Sequence, residues 1–337
     1  MMEQVPTPAL SELPGYPRLV DALLAVRATE YSPIAAHVCA TAAGWVYAEH
    51  PGAVATEMVR RLGLEGVRCE EIALHNDVML VESTAILLQS ACGRLGILCY
   101  RGTEPRNLMS WKVDFNVQPM FVPMRAGDAG EQALVHLGFH RNLHATWHEV
   151  RRALGRALEG QSVDGRADGR LHPMEALYIT GHSLGAAKAA LAGVYLATDA
   201  VESKHFRRKL RGVYTFGQPM VGNPEFAAVC EADPLLRDGV FRHVYRHDVV
   251  PHLPGLPYGR FAHFGREFRV RSGPGWHEHP TNAAQAPDII LSMLVVPVLG
   301  YWATQLGTML KLARLGYSWY DHLPHFYIEA SAQRCSR

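Results

Sequence analysis

The stretch Tyr178-Ile179-Thr180-Gly181-His182-Ser183-Leu184-Gly185 decides how the rest of the chain is read. A short apolar run enters a serine flanked two residues away on either side by glycine, the G-x-S-x-G spacing of a nucleophile elbow. A serine on so sharp a strand-to-helix turn sits in strained backbone, and the glycines let neighbouring segments approach closely. The turn lifts Ser183 Oγ clear of the sheet edge, where a base can reach it. It also leaves the Leu184 N–H at a helix N-terminus, where it can meet an oxyanion. The same spacing occurs in plain Gly/Ser loops, so the flanks decide. Residues 176–180 predict a buried strand, and residues 185–198 are dense in helix formers.

Outward from the elbow, strands alternate with helices. Residues 34–49 and 53–62 read as helices. The runs 84–90 and 95–100, joined by the small turn Ala91-Cys92-Gly93-Arg94, predict a hairpin. Val135 to Phe139 leads into a helix over about 140–158, and strands are expected at 212–216 and 241–245. This alternation predicts an α/β fold with a mostly parallel, doubly wound sheet and helices on both faces. No internal repeat or linker divides the chain, so residues 1–337 are expected to form one domain, with the proline-punctuated residues 1–17 loose.

The 337 residues are 48% hydrophobic with a formal net charge of +1. That suffices for a large core and gives no electrostatic footprint for nucleic acid. Cys39, Cys69, Cys92, Cys99, Cys230 and Cys335 lack metal-type pairing and read as ordinary thiols. The N-terminal residues lack a basic segment followed by an apolar one, so a cytoplasmic location is the default expectation.

A serine nucleophile needs a base, and the base needs an orienting carboxylate, in the chain order Ser, Asp or Glu, His on this kind of scaffold. Asp248 follows a predicted strand directly, where ligand-facing groups gather; Asp233 and Asp238 precede it. Six histidines lie downstream (His252, His263, His277, His279, His322 and His325), and spacing does not choose among them.

Six segments in order, Tyr100-Arg-Gly-Thr103, Trp111-x-x-Asp114, Val135-His-x-Gly-Phe139, Thr180-Gly-His-Ser-Leu-Gly185, Phe216-Gly-Gln-Pro-x-Val-Gly-Asn223 and Asp248-Val-Val-Pro-His-Leu-Pro254, resemble the fungal-type, or class three, lipases of the α/β-hydrolase superfamily. The resemblance covers roughly residues 85–270 plus a short C-terminal piece, Asp321-His322-Leu323. It implies Ser183 as nucleophile, Asp248 as acid and His322 as base, with His325 the alternative one helical turn on. Leu184 and Thr103 would be the two halves of the oxyanion hole. No metal or organic cofactor is implied. The implied substrates are lipid esters, above all acylglycerols, with phospholipids or small soluble esters as rivals. A silent scaffold or an acyltransferase stands further off. Residues 104–114 correspond to the family's lid. Lys188 departs from the family's small residues on the elbow helix, and is expected to reach solvent or a carboxylate.

Two other features stand out. His140, His144 and His148 share a helix face at four-residue spacing, a pattern open to metal but equally to a half-buried stripe. Residues Ile289 to Leu310 are uncharged and apolar enough to span a bilayer. A single crossing would strand His322 on the far side from Ser183 and Asp248. Pro297 and Gly300 instead suggest a broken helical insertion, within 281–316, that packs on the core, walls the acyl pocket or touches a lipid interface.

Overall fold

The computed structural model describes residues 15–76, 78, 81–102, 121–123, 133–166, 169–199, 201–255, 259–270, 275–280, 282–285 and 317–332. Its strands are β1 (Arg68–Asn76), β2 (Val81–Gln89), β3 (Leu95–Tyr100), β4 (Phe121–Pro123), β5 (Leu134–His136), β6 (Ala176–His182), β7 (Leu210–Phe216), β8 (Val240–Tyr245), β9 (Arg266–Val270) and β10 (His277–His279). Eight of them form one sheet in the order β1-β2-β3-β6-β7-β8-β9-β10, and β4 and β5 pair separately. β3, β6, β7, β8 and β9 run parallel, while β1-β2-β3 and β9-β10 are antiparallel. This is the α/β-hydrolase architecture, with the hairpin, the elbow strand and both following strands where the sequence puts them.

Alternation along the central strands builds two cores. Ala85, Leu87, Leu98, Tyr100, Leu177, Ile179 and Val213 face one side, packed by helices Leu137–Leu158 and Leu184–Thr198. Ile86, Leu88, Ile97, Cys99, Ala176, Tyr178, Tyr214 and Phe216 face the other, packed by helices Pro33–Trp45 and Pro324–Ala332. Strands buried on both faces are what a parallel sheet covered by helices requires. The elbow helix is apolar nearly all round, as suits a helix enclosed on every side.

Some boundaries differ from expectation. β1 has no apolar alternation because it is an edge strand exposed along most of its length, with Ile72 its one buried side chain. Within the stretch expected to be loose, the described residues begin at 15 and are anchored at Tyr16. The Tyr16 N–H donates to the Leu62 carbonyl at 2.8 Å and its hydroxyl lies 2.6 Å from His37 Nδ1. Residues 282–285 at the start of the expected insertion are not helical. Ala283 N–H donates to Glu267 Oε2 at 2.7 Å and Gln285 Nε2 to the Pro254 carbonyl at 3.0 Å. Residues 104–114 and Ile289 to Leu310 lie outside the described residues, as does Thr103. Among the described residues no helix is long and apolar enough to cross a membrane.

Candidate active site

Ser183 sits between β6 and the helix Leu184–Thr198 with φ 60° and ψ −128°, the strained turn expected of it. Its N–H donates to the Phe216 carbonyl at 3.0 Å, so β7 fixes the elbow from below. A Cβ on Gly185 would come within 2.9 Å of both Arg101 C and Gly102 N, where the chain leaving β3 crosses the turn. Only glycine lets that strand end approach. Leu184 opens the helix, so its N–H is one of the first-turn donors that find no intrahelical acceptor. Gly102 lies against the elbow, and the next residue, Thr103, is beyond the described stretch.

Asp248 follows β8 and is fully buried. Segment 317–323 docks on this loop by backbone pairing: Ser318 N–H donates to the His247 carbonyl at 2.7 Å, and Val249 N–H to the Ser318 carbonyl at 3.3 Å. Asp321 braces the same junction by accepting from His247 N–H at 3.1 Å. These contacts bring His322, which is 2% exposed, to the acid. His322 Nδ1 lies 2.7 Å from Asp248 Oδ2. The other five downstream histidines do not reach this carboxylate. His325 packs on Phe326 and His263 Nε2 pairs with the Pro251 carbonyl. His252 Nδ1 pairs with the Ala284 carbonyl, and His277 and His279 lie in β10.

Three donors converge on Asp248. Val250 N–H binds Oδ1 at 2.8 Å, while His322 Nδ1 and the Tyr327 hydroxyl share Oδ2. Burial, and then the neighbouring Asp248 charge, push the Tyr327 phenol well up, so it remains a donor. Gly217, at φ 57°, closes the other side. A Cβ there would come within 2.7 Å of the His322 ring and 2.8 Å of Asp248 Oδ2. The glycine in Phe216-Gly217-Gln218-Pro219 is therefore demanded by the imidazole and carboxylate beside it.

A second histidine backs the first. The His182 ring lies 4.5 Å from that of His322, centroid to centroid. Burial, and then the proximity of His322, hold His182 neutral, far below the usual histidine range. Its Nε2 donates to the His322 carbonyl at 2.7 Å, which leaves Nδ1 to accept from the Tyr47 hydroxyl at 3.0 Å. The order Tyr47–His182–His322 backbone thus fixes the base from behind. Ser183 Oγ and His322 Nε2 are both buried and have no hydrogen-bonding partner among the described residues. The Ser183–His322 hydrogen bond is open here, as such contacts often are before substrate tightens them.

Tyr327, His182 and Tyr47 were not assigned roles from the sequence. Tyr327 falls five residues past His322 in a run without internal signal, and the partners of the other two appear only on folding. Tyr327→Phe is expected to reduce kcat about three- to tenfold, the loss of one buried hydrogen bond to a charged group. Measured on a soluble ester, an unchanged kcat would mean that Val250 N–H and His322 alone orient Asp248.

Lys188 corrects an expectation. It neither reaches solvent nor finds a carboxylate: it is 1% exposed, with Nζ 3.3 Å from Ser83 Oγ and 5.8 Å from the centroid of the Tyr100 ring. Burial pushes its ammonium down to about 7 against the opposing pull of Glu82. Between that value and the ordinary lysine range near ~10.4 the unfolded chain binds more protons, so stability rises with pH across that window. Lys188→Met is expected to remove this slope and to stabilise the fold at pH 7 by several kcal/mol. Thermal unfolding from pH 6 to 10 tests it; parallel curves for the two proteins would refute it.

The histidine stripe resolves into a pair. His140 and His144 rings lie 4.2 Å apart, His144 Nε2 is 3.2 Å from the Tyr195 hydroxyl, and His148 is exposed. No group of three metal-ligating side chains occurs among the described residues.

The class 3 lipase family model matches residues 97–258. A lipase of Rhizopus niveus is 38% identical over 102 residues, which are 30% of this chain and 24% of that protein. A triacylglycerol lipase of Arabidopsis thaliana is 30% identical over 189 residues, 47% of this chain and 34% of its own length. The chain therefore spans about a quarter to a third of these two curated relatives. The solved structure of lipase II from Rhizopus niveus superposes with a TM-score of 0.58 at 21% identity, covering 88% of this chain and 95% of that one. With the elbow and the ordered motifs in place, residues 97–258, just under half of the chain, match the class 3 lipase family, on a fold shared with solved fungal lipases.

Proposed function

We propose that this protein is a serine carboxylic ester hydrolase acting on acylglycerols, with Ser183 as nucleophile, His322 as general base and acid, and Asp248 orienting it. The observation that carries this reading is the 2.7 Å contact between Asp248 and His322 Nδ1, beside a serine in elbow geometry. With Nδ1–H directed at the carboxylate, the lone pair of Nε2 is the one available to take the Ser183 proton. Oγ attacks the ester carbonyl, and the Leu184 N–H, with Thr103 as proposed second donor, holds the tetrahedral oxygen. His322 then protonates the departing alcohol, and water, deprotonated by the same ring, cleaves the acyl-enzyme. The uncharged, apolar composition of the run Ile289 to Leu310 supports an apolar acyl substrate over a small polar ester.

The test has two arms. A fluorophosphonate is expected to label Ser183, identified in the modified peptide. Hydrolysis of emulsified long-chain triacylglycerol is then compared with that of a phospholipid and a short p-nitrophenyl ester. Labelling elsewhere would overturn the site. Faster turnover of the phospholipid or the short ester would overturn the acylglycerol assignment.

A further inference from the structure

One buried polar side chain beside the reactive groups is left over by this chemistry. Gln218 is 2% exposed, and neither Oε1 nor Nε2 has a hydrogen-bonding partner among the described residues. Its place is fixed by its neighbours. Phe216 O accepts from Ser183 N–H at 3.0 Å, Gly217 lies against the His322 ring and Asp248, and Met220 N–H donates to the Leu253 carbonyl at 2.8 Å. The chain thus walks from beneath the nucleophile, past the imidazole, to Leu253, with Gln218 one residue beyond the imidazole contact. The other unpartnered polar atoms around this turn include Ser183 Oγ and His322 Nε2, which the substrate itself completes.

A buried primary amide with no partner is costly, and its retention needs a reason. Resting on the hydrolase reading above, we infer that the Gln218 side chain binds the alcohol portion of the substrate, selecting acylglycerols that keep a free hydroxyl. The assignment follows by elimination over the oxygens of such an ester. The scissile carbonyl is taken by the oxyanion donors and the departing ester oxygen by His322. The acyl chain offers nothing polar. What remains are the other oxygens of the glycerol, on the leaving-group side, where the imidazole already stands. A fully esterified glycerol can only accept hydrogen bonds. A hydroxyl both donates to Oε1 and accepts from Nε2–H, so it alone can satisfy both ends of the amide.

Soluble substrates isolate this effect from any interface. Wild-type enzyme is expected to show a kcat/KM about five- to tenfold higher on 1,2-dibutanoylglycerol than on the same molecule with its hydroxyl O-methylated, the worth of one well-placed hydrogen bond. Gln218→Met is expected to lose that preference, to change less than about twofold on ethyl butanoate, and to unfold at a higher temperature than wild type, because the unpaired amide is gone. Equal wild-type rates on the hydroxyl and O-methyl substrates would overturn the proposal without any variant. So would an equal loss on ethyl butanoate, or a lowered unfolding temperature, either of which would mark Gln218 as a structural support. Failure of the wild type to hydrolyse any of the three esters would instead remove the hydrolase reading, and this inference with it.

Discussion

Ser183→Ala is expected to lower kcat for ester hydrolysis by about a million-fold, the size of loss seen when the nucleophile of a working triad is removed. The fold should survive. Alanine keeps the Cβ that already tolerates φ 60°, and Ser183 Oγ has no hydrogen-bonding partner among the described residues whose loss would be felt. The Ser183 N–H to Phe216 contact is a backbone bond and persists. An unaltered unfolding temperature with activity at background is thus the expected pair of results, read by calorimetry and by titration of released acid. Residual hydrolysis within about a hundredfold of wild type would place the nucleophile elsewhere.

Asp248→Asn carries the next largest effect, a fall in kcat of about ten-thousandfold. Asp248 accepts on both oxygens, from Val250 N–H at one and from His322 and Tyr327 at the other. An asparagine must turn its NH2 toward one of these sides. Facing Val250, it sets donor against donor in a buried place. Facing His322, it forces the proton from Nδ1 to Nε2, and the ring can no longer take the serine proton. Either orientation breaks a buried pair, so the unfolding temperature should also drop, by several degrees for a loss of about 1–3 kcal/mol. A kcat within tenfold of wild type would point to another carboxylate; Asp321, bound to His247 N–H, would be the first to examine.

The sequence made the parallel core legible because its strands are short apolar runs bounded by turn residues, and because the elbow has a fixed spacing. β3 spans the expected residues, and β6, β7 and β8 overlap theirs closely. β1 escaped because an exposed edge imposes no pattern on its side chains. The base was legible only through the Asp321-His322-Leu323 resemblance, since the geometry that selects it arises from backbone pairing between residues 247–249 and 318, about seventy positions apart. Tyr327 and His182 matter through partners that no local window contains. The expectation that Lys188 reaches solvent or a carboxylate fails because sequence carries no information on whether the helix is enclosed, and the structure buries this side chain against Ser83 and Tyr100.

The docking of residues 317–323 onto the turn after β8 has a temporal consequence. During synthesis the hydroxyl and the acid emerge well ahead of the imidazole, and the helix bearing the Tyr327 phenol comes later still. On the proposed triad, a nascent protein in that interval holds an inert alcohol, and activity waits for the late docking of residues 317–332.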